Sequence, residues 1–536
     1  MAAMLRVLLS VASLALLATA QTEERVVAVR SLQPFLQPSL QSGQAMDSAL
    51  PAEERSVGRD ATLRGRGKAE TAWLIALLKE RHKKNLEDGQ LILAVDENAR
   101  VALHGTKGAV NSCLADIDSI AGTLTRSIEI SVYQLAAFNG ELPPAFIDGK
   151  TLQATLATTP PLWSARAVTR PGGSVKLGDV RWTTYVRDHD SEVAEDSKTF
   201  DPKVDHFFRG TRVALTVHAL PSDELLLHGS WLTSDSIELA QVTIGKGQPF
   251  VGLPFNRTAH ISFGGKVNNG DGLVVAARRE SKQGMSFVYA VRARYLSPPP
   301  QRANNLFVFP ATAWTASTRT GWPMRAAWFV EVNDDDNHPL ISEMPVLSPA
   351  NLATFLAPQA EGTVLMAGST LIINDNAAVC ARAETALRQL VDAQLRHAEL
   401  RITQTSKHDH VPTNIVQPVL ANMQAEAFIG TERAVVGDHE VEIAQETNIN
   451  NPIVKVVRSG VWSRLTGHAM ARNWNIEGLW RSAQQLPARY RVQSSKPPVN
   501  MQLPDYKSSA WPWDGPIPLN TVQELAPHFS VQVKAQ

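Results

Sequence analysis

The chain has 536 residues, and its 52 basic side chains are balanced by 52 acidic ones. That balance excludes a general electrostatic attraction to nucleic acid or to acidic membranes, so no nucleic-acid partner is expected. The length is enough for several domains with large cores. The only two cysteines, Cys113 and Cys380, exclude a disulfide scaffold and a cysteine-rich zinc site.

The first twenty residues are typical of a secretory signal peptide. Arg6 provides a positive n-region, Val7–Leu17 is an apolar run, and Ala18-Thr19-Ala20 matches a cleavage site. The run is short for a membrane span, although an N-terminal anchor helix is the alternative. We therefore expect an exported mature protein, periplasmic, outer-membrane-associated or extracellular, with no transmembrane helix after signal removal.

Two regions of the chain share one predicted order of elements: two β-rich runs, a helix with one apolar stripe, and a third β-rich run. They are Leu91–Val95, Val101–Leu103, Val110–Leu124 and Ile128–Val132, then Val364–Met366, Leu371–Ile373, Val379–Leu395 and Ala398–Ile402. Such a helix must cover a sheet, which predicts a two-layer β-β-α-β unit in each region. Cys113 and Cys380 fall in these helices, where we expect separate buried thiols; one disulfide is the alternative.

Short strands with turns between them follow the first unit. Arg212–His218 alternates large apolar with smaller residues, and Glu224–Trp231 follows it after a turn. His260–Phe263 and Gly272–Ala277, separated by Asn268–Asp271, are predicted to pair as a hairpin. This spacing is typical of an antiparallel sheet or sandwich.

The second half of the chain repeats the first in the same order, which indicates an internal duplication. When 270 is added to the residue numbers of the first half, Glu129 and Gln134 correspond to Glu399 and Gln404. Further along the chain the residue numbers differ by 250, and identical residues recur. Asp188-His189 recurs as Asp438-His439, Pro202 as Pro452 and Gly210 as Gly460. Leu215-Thr216 and His218-Ala219 recur as Leu465-Thr466 and His468-Ala469. One residue of slippage then aligns Gly229 and Trp231 with Gly478 and Trp480.

The predicted fold class is α+β and strand-rich, with two diverged copies of a module made of a β-β-α-β two-layer unit followed by an antiparallel sheet or sandwich. In chain order we predict a signal peptide at 1–20, an N-terminal linker and helix at 21–88, the first copy at 89–295, a connector at 296–355 and the second copy at 356–536.

The repeated pairs Asp188-His189 and Asp438-His439 are the candidate metal site. Asp and His ligate metals or cooperate in proton transfer, but the alternative is that each Asp fixes a turn by capping backbone N–H groups. No third ligand stands nearby at a metal-like spacing. His218 and His468 lie within alternating strands, where packing is expected. We find no catalytic motif and no cofactor motif.

Trp511-Pro512-Trp513 is the candidate ligand-binding segment, because two indole rings offer flat apolar faces on which sugars can stack. Trp231 and Trp480 recur in both halves, which fits a core position of the module better than a binding surface.

The β-β-α-β unit resembles the ring-building periplasmic modules of secretins of type II and type III secretion systems and type IV pili. The resemblance is carried by Thr370–Asp375, the helix from Val379 to Leu390, and Glu399–Ile402, with the same outline at Val101–Leu103, Val110–Leu124 and Ile128–Val132. It implies a secretin-like envelope protein, a scaffold or ring subunit. The chain departs from the family by repeating the module and by lacking a recognisable lip segment, so membrane insertion is not expected.

We expect an exported, non-enzymatic structural or interaction protein of the cell envelope that assembles with itself or binds other envelope proteins, without a cofactor. One alternative is a carbohydrate- or cell-surface-binding protein that uses Trp511 and Trp513. The other is a hydrolase whose active-site residues are dispersed along the sequence.

Overall fold

The computed structural model describes residues 24–32, 71–95, 100–136, 142–194, 197–243, 250–279, 286–299, 305–315, 318–321, 341–344, 347, 351–404, 413–443, 448–470, 473–485, 489–493, 499–503, 506–526 and 529–535. The predicted signal peptide at 1–20 lies outside these ranges. Within them, no helix combines the length and the apolar character that crossing a membrane requires.

The described residues form six α-helices: α1 (Ala72–Arg81), α2 (Lys83–Glu87), α3 (Lys107–Leu124), α4 (Gly149–Thr158), α5 (Leu352–Leu356) and α6 (Ala377–Gln394). The two long helices with an apolar stripe, α3 and α6, are those that the sequence predicts. Both begin at a residue whose side chain accepts a hydrogen bond from the first turn: Thr106 from Ala109 N and Asn376 from Val379 N.

The described strands dominate the molecule. The first twelve are β1 (Arg25–Ser31), β2 (Leu91–Val95), β3 (Arg100–Thr106), β4 (Ile128–Ala136), β5 (Phe146–Ile147), β6 (Trp163–Thr169), β7 (Ser174–Ala194), β8 (Ser197–Ala219), β9 (Leu225–Thr243), β10 (Phe250–Val267), β11 (Gly272–Arg279) and β12 (Ser286–Tyr295). The α+β, strand-rich class is therefore confirmed.

The later strands are β13 (Leu306–Pro310), β14 (Thr318–Gly321), β15 (Ile341–Met344), β16 (Thr363–Ala367), β17 (Thr370–Asn374), β18 (His397–Gln404), β19 (Thr413–Leu420), β20 (Gln424–Ile443), β21 (Asn448–Ala469), β22 (Asn473–Gln485), β23 (Arg489–Gln493), β24 (Val499–Leu503), β25 (Tyr506–Pro518), β26 (Val522–Ala526) and β27 (Phe529–Ala535).

Two three-stranded sheets carry the long helices. Their strand orders are β1-β3-β2 and β13-β17-β16. Val110, Cys113 and Ile117 of α3 pack in one core with Leu103 of β3 and with Ile372 of β17. Helix α3 thus packs against residues of both small sheets.

The last strand of each predicted β-β-α-β unit lies in a different sheet. Neither β4 nor β18 pairs with a small sheet; both join one large sheet instead. The third strand of each small sheet comes from before the predicted unit, as β1 or β13. The prediction that the three strands and the helix of each region form one two-layer β-β-α-β unit is therefore wrong, since a strand's pattern does not reveal its partners.

Two large antiparallel sheets form a sandwich. The long-stranded sheet has the order β25-β22-β21-β20-β10-β9-β8-β7, and the short-stranded sheet has the order β26-β27-β18-β19-β11-β12-β4-β6, with β5 added beside β11. One core cluster combines residues of both layers, among them Leu215, Trp231 and Phe263 from the first sheet and Ile130 and Tyr289 from the second. The sandwich expected from the sequence is present.

The hairpin predicted for His260–Phe263 and Gly272–Ala277 is wrong. These segments belong to β10 and β11, which lie in different sheets, so the Asn268–Asp271 turn crosses from one layer to the other. Gly270 takes a positive φ of 92°, which a turn needs and glycine permits. A hairpin and a crossover between layers use the same turn residues, which explains the error.

Cys113 and Cys380 are buried and form no disulfide, as the favoured prediction states. Burial raises the pKa of the Cys113 thiol to about 12, and it also raises that of Cys380. Both thiols therefore stay protonated and unreactive at neutral pH.

A stacked pair of histidines lies where the connector packs on the long-stranded sheet. The rings of His218 and His228 are 5.4 Å apart at their centroids, and His218 Nδ1 lies 2.7 Å from Thr312 Oγ1. Burial lowers the pKa of His218 to about 4 and that of His228 well below its usual value. The pair is thus neutral and structural at pH 7, as the sequence predicts for His218.

We predict that acid destabilises the protein through this pair. A histidine whose pKa is depressed in the folded state contributes stability that is fully present above pH 6.5 and is lost as pH falls toward 4. For His218 alone the loss should reach roughly 3 kcal/mol. His228→Phe should flatten the dependence of the urea midpoint on pH between 7 and 4.5. An unchanged slope in the variant would contradict this explanation.

Candidate functional site: the seam and the open sheet edges

One antiparallel contact joins the two halves of the long-stranded sheet. β10 pairs with β20 over eight residue pairs, from Phe255 with Arg433 to Ser262 with Glu426. In the short-stranded sheet, β11 pairs with β19 over the three pairs that begin with Ala277 and Val416. We call these two contacts together the seam. Through it the two halves become one continuous sandwich.

Glu399 on β18 anchors the seam from the short-stranded sheet. Its side chain is 1% exposed, and Oε2 accepts a hydrogen bond of 2.7 Å from the backbone N–H of Ala145 in the first half. Oε1 accepts from Arg401 and lies 3.8 Å from Lys534 Nζ. A buried carboxylate surrounded by these donors keeps its charge compensated.

A second buried carboxylate lies in the long-stranded part of the seam. Glu432 is fully buried, faces Asn256 across the seam, and accepts a 2.8 Å hydrogen bond from Arg458 Nε. Burial raises the pKa of Glu432, while Arg458 opposes the rise. Glu432 Oε2 and both polar atoms of the Asn256 side chain have no hydrogen-bond partner among the described residues. The seam therefore holds polar groups that tolerate little displacement.

Each sheet ends in an edge strand at either side. In the part of the chain that the structure describes, β7 pairs only with β8, β25 only with β22, β6 only with β4, and β26 only with β27. Edge strands of a sheet can act as templates for pairing with another chain.

An apolar cavity lies between the sheets at the β25 end of the sandwich. Trp480, Trp513 and Phe529 are among the residues that line it, and its empty space of about 320 Å³ includes open solvent. Trp513 is half-buried although it faces the core. The apolar core is therefore partly open to solvent at this end.

The candidate metal residues lie within long strands. Asp188 and Asp438 each follow a register shift, after Val186 in β7 and after Val436 in β20. His189 is buried, with Nε2 3.1 Å from the Phe250 carbonyl oxygen. The side chains of Asp188, Asp438 and His439 lie outside the described ones. Both pairs lie within strands rather than in turns, and among the described residues no group of three His, Cys, Asp or Glu side chains could hold a metal ion.

The candidate ligand residues lie on the edge strand β25. Trp513 packs against the core of the second half, and its Nε1 donates a 3.2 Å hydrogen bond to the Gly515 carbonyl oxygen. Trp511 is also in β25, but its side chain is not among those described. Trp231 and Trp480 are buried in the core, in agreement with the prediction for them.

Sequence reasoning missed the residues of the seam. The sequence marks Glu399 only as an acid among apolar neighbours, and that pattern could have indicated a buried, compensated carboxylate. Nothing in the sequence distinguishes Asn256 or Glu432 from ordinary exposed polar residues of a strand, because the pairing of β10 with β20 joins segments far apart in the chain.

We predict that Glu399→Ala destabilises the protein by about 3 kcal/mol, because it leaves buried donors without their acceptor. The matched control is Glu129→Ala. Glu129 accepts a 2.8 Å hydrogen bond from Arg294, which lowers the pKa of Glu129, but this pair is more exposed, so the loss should be about 1 kcal/mol or less. Unfolding midpoints in urea provide the measurement; equal losses in the two variants would refute the special role of Glu399.

No protein-family model and no curated protein matches the sequence. Solved structures similar to the chain include secretins. The Salmonella SPI-1 injectisome secretin InvG is 11% identical, with 52% of this chain and 90% of that chain covered and a TM-score of 0.23. The Vibrio cholerae type IV competence pilus secretin PilQ is 10% identical, with 55% of this chain and 82% of that chain covered and a TM-score of 0.20. The type II secretin GspD of enteropathogenic Escherichia coli is 9% identical, with 42% of this chain and 85% of that chain covered and a TM-score of 0.20. The chain thus resembles secretins distantly, as its sequence predicts.

Proposed function

We propose that this chain is an exported structural protein of the cell envelope, built from two copies of one folding module, which associates through those modules with further copies of itself or with other envelope proteins. The observation that carries the proposal is the order of the strands on either side of the seam. Export rests on the predicted signal peptide at 1–20.

The strand orders of the two halves correspond one to one. In the long-stranded sheet, β7-β8-β9-β10 is followed across the seam by β20-β21-β22-β25. In the short-stranded sheet, β6-β4-β12-β11 is followed by β19-β18-β27-β26. Two unrelated halves would have no reason to place eight strands each in the same order, so this agreement supports a duplicated module.

Irregularities in the strands recur at the same spacing. The register shift at Val186/Asp188 in β7 has its counterpart at Val436/Asp438 in β20, and the shift between Val274 and Ala276 in β11 has its counterpart between Glu524 and Ala526 in β26. β-bulges are specific features that persist within related folds, so their coincidence supports common descent of the halves.

Two repeated glycines have the same unusual backbone conformation. Gly210 has a φ of 120° and Gly460 a φ of 143°, a region that other residues rarely adopt. A Cβ at either position would lie within 2.5 Å of a backbone atom of the neighbouring strand. The recurrence of glycine in the sequence thus has a steric reason, which fits a shared module.

The modules extend further toward the N-terminus than the sequence alone suggests. β1 completes the small sheet of α3, and β13 completes that of α6. We therefore place the starts of the modules at these strands, within the segments 21–88 and 296–355 that the sequence assigns to linker and connector.

The interactions of the two buried carboxylates, Glu399 and Glu432, support a structural role. Glu399 pairs with Arg401 of its own strand and accepts a hydrogen bond from Ala145 of the first half, and Glu432 of β20 pairs with Arg458 of β21. The seam is a heterologous contact, since the last strands of one half meet the first strands of the other. Heterologous contacts can repeat between molecules, into rings if the rotation closes and into open arrays if it does not.

We predict that the mature chain, residues 21–536, forms multimers whose fraction rises with concentration. Exposed edges add strands by backbone hydrogen bonding, so mass action should favour association. Size-exclusion chromatography with light scattering over a hundredfold concentration range measures the molar mass, with circular dichroism as the control for folding. A mass that stays that of one chain at the highest concentration would refute self-association.

A further inference from the structure

We infer that acid releases a contact between the two halves of the chain, and that His397 is the group whose protonation releases it. The contact joins the segment 142–147 of the first half, which we call the clip, to strand β18 of the second half. The release is a change within one chain, so it does not depend on association between chains.

The clip belongs to the first half and is fastened to the second. Its strand β5 pairs with β11, and Ala145 and Ile147 pack in a buried cluster that also contains Val416 of β19. The backbone N–H of Ala145 donates a 2.7 Å hydrogen bond to Glu399 Oε2 on β18. Apolar packing and one hydrogen bond to a buried carboxylate therefore hold the clip on the second half.

His397 provides a further contact between β18 and the clip. Its ring centroid lies 4.6 Å from that of Phe146, and the two ring planes are inclined by 47°. Because side chains alternate along a strand, His397 and Glu399 point to the same face of β18. They contact the adjacent clip residues Phe146 and Ala145, so a displacement of the clip breaks both contacts together.

Charged groups of both halves lie around this histidine. Lys266 of the first half has its Nζ 3.1 Å from Asp392 Oδ1, in α6 of the second half, and 3.3 Å from Glu224 Oε1. The Lys266 side chain is only 12% exposed, so solvent screens its charge little. The clip itself has no titratable side chain.

The surroundings of His397 disfavour its charged form. Burial lowers the pKa of His397 to about 4, and the positive charge of Lys266 contributes to the shift. A hydrogen bond with the backbone of Leu395 and the negative charge of Asp392 act in the opposite direction but are outweighed. The imidazole is therefore neutral at pH 7 while the clip is bound.

Glu399 is the other titratable group of this face of β18. Its side chain pairs with Arg401 and lies 3.8 Å from Lys534 Nζ, so two cations of the second half compensate its charge. His397 has no such compensation for a positive charge, since the nearest cation repels it. A proton added to the contact at mildly acidic pH thus acts through His397.

The sign of the pH dependence follows from the shift. The ordinary pKa of histidine is 6.5, whereas that of His397 in the bound contact is about 4, so the released state binds the proton more tightly. The stabilisation of the contact is fully present above pH 6.5 and is lost as pH falls toward 4. Between pH 7 and pH 5 the ratio of released to bound clips should rise roughly tenfold or more.

Hydrogen exchange of the mature chain, residues 21–536, measures the release. Peptides that cover the clip report on the amides of Ala145, Phe146 and Ile147, and peptides that cover β4 report on unfolding of the whole sandwich. Exchange rates are divided by the intrinsic rate at each pH. We expect the corrected rate of the clip to rise roughly tenfold or more from pH 7 to pH 5, and to exceed that of β4 at every pH.

Variants assign the effect to one side chain. His397→Phe keeps a ring against Phe146 but cannot bind a proton, so the corrected exchange of the clip should become nearly independent of pH. His397→Gln, a smaller neutral side chain, should give the same result. Lys266→Met removes the repelling charge and should reduce the dependence. The matched control is His104→Phe, in β3 of the first small sheet, which should retain the full dependence.

Three outcomes would overturn the inference. The first is a corrected exchange rate of the clip in the native chain that does not change between pH 7 and pH 5. The second is an undiminished pH dependence in His397→Phe and His397→Gln, which would assign the release to Glu399 or Asp392. The third is equal exchange of the clip and β4, which would mean that acid unfolds the whole sandwich and releases no local contact.

Discussion

The pairing of β10 with β20 is the constraint on which the architecture depends. Without it, the long-stranded sheet would be two separate runs of four strands. Because side chains alternate along a strand, a slip of one residue would turn Ala259 and Ile261 away from the short-stranded sheet and bring polar neighbours into the core. The sandwich core thus fixes the register of the seam, and the seam in turn makes the core continuous.

The buried polar residues of the seam make that register more specific than apolar packing alone would. Glu399 of the second half must meet the backbone N–H of Ala145 in the first half, whereas the ion pair of Glu432 with Arg458 lies within the second half. Each arrangement is costly to break, because a carboxylate in a low-dielectric interior loses its compensation. Apolar side chains can repack after a small displacement, whereas the hydrogen bond from Ala145 to Glu399 would break, so this bond favours one relative position of the halves.

Local sequence patterns predicted elements well and their partners poorly. The stripes in α3 and α6 identify both helices, and the alternation before His218 identifies β8, because periodicity is a property of the segment itself. The assignment of β4 and β18 to the large sheet depends on residues far along the chain. The edge position of Trp513 and the burial of Glu432 depend on pairing too, so no local signal could have revealed them.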